Sequence, residues 1–382
     1  MAISITEPNS LACFTKNDIS FKVTATGYAA LDNYKINYRV SVQSGYDSGD
    51  FEIVAQNYVT IDGSGIGYIH PRAILHAAVL NNIADANLLP PLSSPSAYVY
   101  EISRSFKIDV WEEYGIPSVA QSIESSEIHR AILGGIDEDV YDNGTFFEDL
   151  DDNPQFFTQN ERIKEIGLTQ PDFMSYYSHG GETAEVTITK YANNNSVTSL
   201  TVTLALSAME IGVFPVGPPA LGDMTDIYRY VVAIDNPGGG GGLTTGIRRD
   251  FFIDKAQDNI NYDLIYLNGF YCPEVIRCKG DLDRKLSVQR YKSLQNNKVV
   301  QYDYDFDKIV TLRTGFITTS MAEALQEMFV YNELYEINYE AGTYILLDLT
   351  EDNYNISRTR RYLHALTFEA RYSEKKKIIS IR

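Results

Sequence analysis

QYDYDFDKIVTL (301–312), TTSMAEALQEMFVYNELYEI (318–337) and RYLHALTFEARY (361–372) set out a strand, a capped helix and a closing strand near the C-terminal end of a 382-residue chain. Successive side chains of a strand alternate, so Tyr302, Tyr304, Phe306, Val310 and Leu312 fall on one side and Asp303, Asp305 and Asp307 on the other. Ser320 with Glu323 makes a capping box. Met321, Leu325, Met328 and Phe329 then give the helix one apolar face, and Asn332 ends it. LYEIN, TYILLDL and NYNIS add strands on which that face packs. This is a packing unit rather than an active site. It sets the expected fold class: mainly β, with two or three β-sandwich-like modules, a few short helices, and a C-terminal module with one helix packed on a sheet.

Working outward, the N-terminal part alternates in short segments, DISFKVTAT, YKINYRVSVQS and FEIVAQNYVTID, separated by Gly and Asn or Asp turn residues. A helix is predicted over 71–85, with Pro71 near its first turn and Ile74, Leu75, Ala78 and Ile83 as its apolar stripe. SAYVYEISRSFKIDVWEEY closes this module, giving an N-terminal β-sandwich over 1–115. A central β domain is expected over 116–269. It contains the acidic excursion FFEDLDDNPQFF and ETAEVTITKYANNNSVTSLTVTLAL, a hairpin turning at Asn193–Asn195. It also contains five consecutive glycines, 238–242, expected as a mobile hairpin tip. The C-terminal module, 270–382, adds FYCPEVIRCKG and DRKLSVQRYKS to the segments quoted first.

Composition narrows the partners. The formal net charge is −19, from 51 acidic and 32 basic residues, so the surface repels phosphate backbones and anionic membranes. Neither nucleic-acid binding nor membrane insertion is expected, and no run approaches the ~18 apolar residues of a spanning helix. The 28 tyrosines against a single Trp111 suit half-buried strands and protein contacts. Cys13, Cys272 and Cys278 are odd in number and lack CxxC spacing, which points to buried thiols rather than a disulfide framework or zinc site. The opening residues MAISITEPNS have neither a basic nor an apolar leader region, so the chain is expected to be made in and to stay in a cytosol unless it leaves within an assembly.

Catalytic signatures are missing from the sequence. The five histidines, His70, His76, His129, His179 and His364, form no HExxH or HxH pair. DYDFD begins like a calcium loop but has Lys308 at the sixth position and Thr314 at the twelfth. Glu148, Asp149, Asp151 and Asp152 contain carboxylate pairs such as a glycosidase uses, which any acidic chain also supplies. DGSGIG and GGGGGLTTG fail the dinucleotide and P-loop patterns, and no GxSxG elbow occurs. The expectation is a non-enzyme without catalytic residue, metal or cofactor.

The succession of SFKIDVWEEY, HRAILGGID, VFPVGPPALG, DIYRYVVAID, LSVQRYKS, YDFDKIVTLRTGF and MAEALQEMFVYNELYEI resembles virion proteins of tailed phages that infect Bacteroidota, from the tail, neck or baseplate. The resemblance implies a structural role in the virion, in a symmetric ring or tube around the tail axis. Its partners are then copies of the chain itself and other tail proteins. Asp303, Asp305, Asp307 and Trp111 are the candidate interaction residues. Two other functions fit the composition. One is a receptor- or glycan-binding module in which Trp111 and exposed tyrosines stack on a host glycan; the other is a polysaccharide-degrading enzyme using Asp149 or Asp151.

Overall fold

Some strands alternate in burial and others are buried at every position in the computed structural model, which describes residues 3–83, 88–92, 96–136, 146–147, 156–157, 163–235, 248–255, 262–280, 282–295, 298–317, 322, 325–326, 328–329, 333–350, 355–358 and 364–373. The protein is mainly β, in five sheets. The first is β1 (Ile3–Thr6), β3 (Phe21–Ala25) and β6 (Ile66–Ile69). The second runs β2 (Ala12–Phe14), β10 (His129–Ile132), β8 (Ser103–Tyr114), β4 (Lys35–Gln43) and β5 (Phe51–Val59), with β9 (Val119–Ser125) also on β8. The third runs β11 (Ile163–Ile166), β17 (Arg248–Ile253), β16 (Ile227–Asp235), β13 (Glu182–Ala192) and β14 (Val197–Leu206). The fourth is β12 (Phe173–Ser178), β15 (Glu210–Pro215) and β7 (Tyr98–Val99). The fifth runs β19 (Pro273–Cys278), β18 (Tyr262–Leu267), β22 (Leu334–Asn338), β23 (Thr343–Leu349), β25 (His364–Tyr372), β21 (Lys298–Ile317) and β20 (Asp283–Gln295), with β24 (Asn355–Arg358) also on β25.

Local sequence accounts for the elements that bound these sheets. In β3, Phe21, Val23 and Ala25 are buried while Lys22 and Thr24 are half-buried, as alternation requires. The helix expected after Pro71 forms as α1 (Arg72–Asn81) and buries Leu75 and Val79 in the N-terminal core. The predicted hairpin is β13 and β14, paired from Glu182↔Leu206 to Tyr191↔Val197. Its turn places Asn195 at φ 65°, a left-handed conformation that Asn tolerates better than most residues. In the fifth sheet Val310 and Leu312 are buried, and the helical residues Ala322, Leu325 and Met328 sit in the same core, with the Phe329 ring edge-on to Phe368 at 5.4 Å. The helix-on-sheet unit is therefore present. Met321, the Ser320–Glu323 cap and Asn332 lie outside the described residues.

Three hydrophobic cores share walls. β12 sends Phe173 and Tyr177 into the N-terminal core and Met174 and Tyr176 into the central one. β15 divides likewise, Ile211 and Val213 against Phe214. β18 turns Ile265 and Leu267 to the N-terminal core and Leu264 and Tyr266 to the C-terminal core. Strands buried on both faces lose the apolar/polar alternation, and YDLIYL and FMSYYS are accordingly mostly apolar, interrupted by Asp263 in the first and by Ser175 and Ser178 in the second. The stretch FFEDLDDNPQFF is held at both ends by its phenylalanines. Phe147 lies 4.7 Å from Phe14, Phe146 lies 5.6 Å from Phe14, and Phe157 lies 4.9 Å from Phe270 between ring centroids. Glu148, Asp149, Asp151, Asp152 and the five glycines are outside the described residues.

Two buried ion pairs stand where the central and C-terminal parts meet, each reaching across by one hydrogen bond, Lys164 to the Val275 carbonyl and Arg277 to Thr169 Oγ1. Lys164 Nζ lies 3.0 and 2.9 Å from the two Asp172 oxygens and donates to the Val275 carbonyl at 2.7 Å. Burial pushes the Asp172 carboxyl up, and the Lys164 ammonium opposes that shift. Arg277 meets Asp263 bidentately, both contacts at 2.7 Å. Removing one member strands the other in an apolar interior. Lys164→Met is expected to lower stability by about 3–5 kcal/mol in urea unfolding, and Lys164→Met with Asp172→Leu to recover most of it. A single-variant loss under about 1 kcal/mol would mean that water solvates Asp172.

Candidate assembly surfaces

β20 and β21 outrun the sheet they belong to. β25 pairs with β21 only from Ile309↔Arg371 to Ile317↔His364, whereas β20 pairs with β21 from Asp283↔Thr311 to Gln295↔Lys298. Among the described residues, the stretch 298–308 of β21 therefore has β20 as its sole ladder partner. At ~3.3 Å per residue this two-stranded ribbon reaches roughly 33 Å beyond the sheet. Such a ribbon is marginal by itself in water.

The ladder register places Asp303 opposite Tyr291, Asp305 opposite Gln289 and Asp307 opposite Ser287. The three aspartates thus share one parity, and Phe306↔Val288 and Tyr304↔Arg290 make the other. Side chains of 301–306 are outside the described residues; Asp307 is half-buried. On the β20 side Leu286 is 54% and Tyr291 37% exposed, and Val299 near the tip is 66% exposed. The base is braced. Lys285 Nζ lies 2.9 Å from Glu369 Oε1, which also accepts from Thr311 Oγ1 at 3.0 Å, and Arg313 meets Asp283 at 2.8 Å.

Trp111 lies far from that row in topology, on β8 of the second sheet. It is half-buried and paired with Asn37 of β4 and Ile123 of β9. One row along, Asp109 is buried; burial alone would raise its carboxyl, but hydrogen bonds from Ser125 and from Arg39 at 2.7 Å hold it below the usual range. Trp111 and the aspartates of the ribbon belong to different sheets.

Other polar groups are absorbed into the framework. His129 is buried between the Phe21 and Phe106 rings, 5.2 and 5.5 Å away, with Nε2 2.6 Å from Glu7. His76 Nδ1 meets Thr15 Oγ1 at 2.9 Å. Among the described residues no three His, Cys, Asp or Glu side chains converge as a metal site would require. The three cysteines are buried and free, and burial pushes each thiol up to about 12. A cleft of about 390 Å³ between residues 89–92 and Gly342 is lined by Tyr98, Tyr100 and Tyr344, with Glu101 as its one charged side chain. No helix among the described residues is long and apolar enough to cross a membrane.

Sequence reasoning missed the projection of the ribbon and the open edges of the sheets. β5 and β14 end their sheets, and Ile53, Tyr58, Val197 and Leu200 stand exposed on them. The signal available was the length of residues 298–317, twenty residues without a turn pair, in a chain whose other strands are shorter.

No protein-family model matches the chain, and no curated protein does. A crystal structure of CBD12 from CALX1.2 aligns at 11% identity over 66% of this chain and 100% of that one, with a TM-score of 0.18, a likeness too slight to carry an argument.

Glu369 gives the ribbon base a pH dependence. The Lys285 ammonium, then the Thr311 hydroxyl, hold its carboxyl below the usual range. A depressed carboxyl contributes stability that is complete above its unfolded value of about 4.3 and is lost as pH falls through the folded value. Glu369→Gln is expected to show a small lowering of the urea midpoint at neutral pH that vanishes near pH 3; an equal difference at both pH values would contradict the assignment.

Proposed function

We propose that the protein is a structural virion subunit of a tailed phage infecting Bacteroidota, in the tail, neck or baseplate, and that it works by assembling with copies of itself and with other virion proteins. The observation that carries this is the β20–β21 ribbon. A pair of strands of 13 and 20 residues that leaves its own sheet, with Leu286 and Val299 in water, lacks the third strand or packing face that would stabilise it. A second subunit supplies one.

Charge supports the same reading. β20 carries Arg284, Lys285, Arg290 and Lys292 against one acid, Asp283, in a chain of net charge −19. Arg284 and Lys285 are used at the base, 3.5 Å from Glu336 and 2.9 Å from Glu369. Arg290 and Lys292 lie farther out, where an acidic neighbour of the same sequence is an attractive partner. An acidic assembly also avoids holding passing DNA.

The test replaces 287–307 with a two-residue turn. Full-length protein is expected to form discrete oligomers by light scattering and to be found in purified particles, whereas the shortened chain keeps its β signal but not the oligomer. A full-length chain that stays monomeric, binds no other virion protein and is absent from particles would sink the proposal.

A further inference from the structure

β14 is the outer strand of the third sheet, paired on one side with β13 and, among the described residues, with nothing on the other. Along the core-facing row of β13, Ala184, Val186 and Ile188 are each 0% exposed. Their register partners Leu204 and Val202 are only half-buried, and Leu200 is 39% exposed. The cover over this core runs out across β14, so the sheet stops one strand short of closing its apolar face.

The edge is also unguarded. Open edges are ordinarily protected by Lys, Pro, a bulge or an inward charge. Residues 191–209 contain no charged side chain and no proline, and β13 pairs with β14 in unbroken register over the whole strand. The opposite face of β14 offers Val197, Ser199, Thr201, Thr203 and Ala205, small or β-branched residues suited to a ladder.

We infer that β14 is a strand-addition site for β14 of a second copy of this chain, joined antiparallel about a two-fold axis perpendicular to the sheet. This rests on the assembly reading above and names one of its contacts. Such an axis keeps each face on its own side, so the Leu200, Val202 and Leu204 rows of the two copies become continuous and cover each other. The lack of charge lets a like partner approach here. Two chains of net charge −19 repel over most of their surface. At this edge the nearest acid on the solvent face is Glu185 of β13, opposite Thr203. Across the joint the two Glu185 positions are three strand spacings apart, roughly 14 Å. That exceeds the screening length of about 8 Å at physiological salt.

The experiment is sedimentation of full-length protein carrying Thr201→Lys, Thr201→Glu, or an equal mixture of the two. Thr201 is exposed, and a charge at a strand edge is well tolerated, so each variant is expected to keep the wild-type circular dichroism and melting temperature. In the joint, like charges face each other across β14, and each variant alone is expected to dimerise at least about tenfold more weakly. Mixing places Lys against Glu and is expected to restore wild-type association. If both variants associate as the wild type does, or if mixing restores nothing, the β14 joint is overturned while assembly through the ribbon stands. If the wild type itself remains monomeric and is missing from particles, both fall.

Discussion

Everything else in this molecule depends on strands that are buried on both faces. β12 and β15 stand between the N-terminal and central cores, and β18 and β19 between the N-terminal and C-terminal cores. A strand in that position cannot slip by one residue without exchanging the side chains of two cores at once, so its register is fixed from both sides. The buried pairs Lys164–Asp172 and Arg277–Asp263, through Val275 and Thr169, add directional contacts between the central and C-terminal parts. The sandwich-like layers thereby form one body.

A rigid body of this kind leaves its unfinished business at the margins. In the interior, His129 lies between the Phe21 and Phe106 rings with Nε2 on Glu7, and the three cysteines are buried and free. Among the described residues, the open surfaces that carry exposed apolar side chains include a two-stranded ribbon and the outer strands β5 and β14. Both are backbone features, and both are completed by another polypeptide more readily than by a small ligand. Bracing of the ribbon base through Glu369 and Arg313–Asp283 fixes the direction in which it leaves the body, which under the proposed assembly would limit the entropy lost on docking.

Much of this was legible in the sequence where one local period dominates. The hairpin 182–206, the helix after Pro71 and the apolar face of the helix at 322–329 were all visible as periods of two or 3.6. The parity shared by Asp303, Asp305 and Asp307 was legible too. Where those aspartates stand was not, because a strand inside a sheet and one projecting beyond it alternate in the same way; only the length of β21 differs. FFEDLDDNPQFF looked like an acidic excursion because its four carboxylates are clustered between its rings, although Phe146, Phe147 and Phe157 anchor it by contacts with Phe14 and Phe270 far along the chain. The lack of charge in 191–209 was plain, but its meaning required knowing that β14 is an edge.

Amide hydrogen exchange of the full-length protein, followed from dilute to concentrated solution, tests assembly through these margins most directly. Protection is expected to rise with concentration in the distal ribbon, 286–308, and in β14, while β12 and β18 stay equally slow throughout. Protection in the ribbon and β14 that is independent of concentration, with the chain remaining monomeric, would contradict assembly through them.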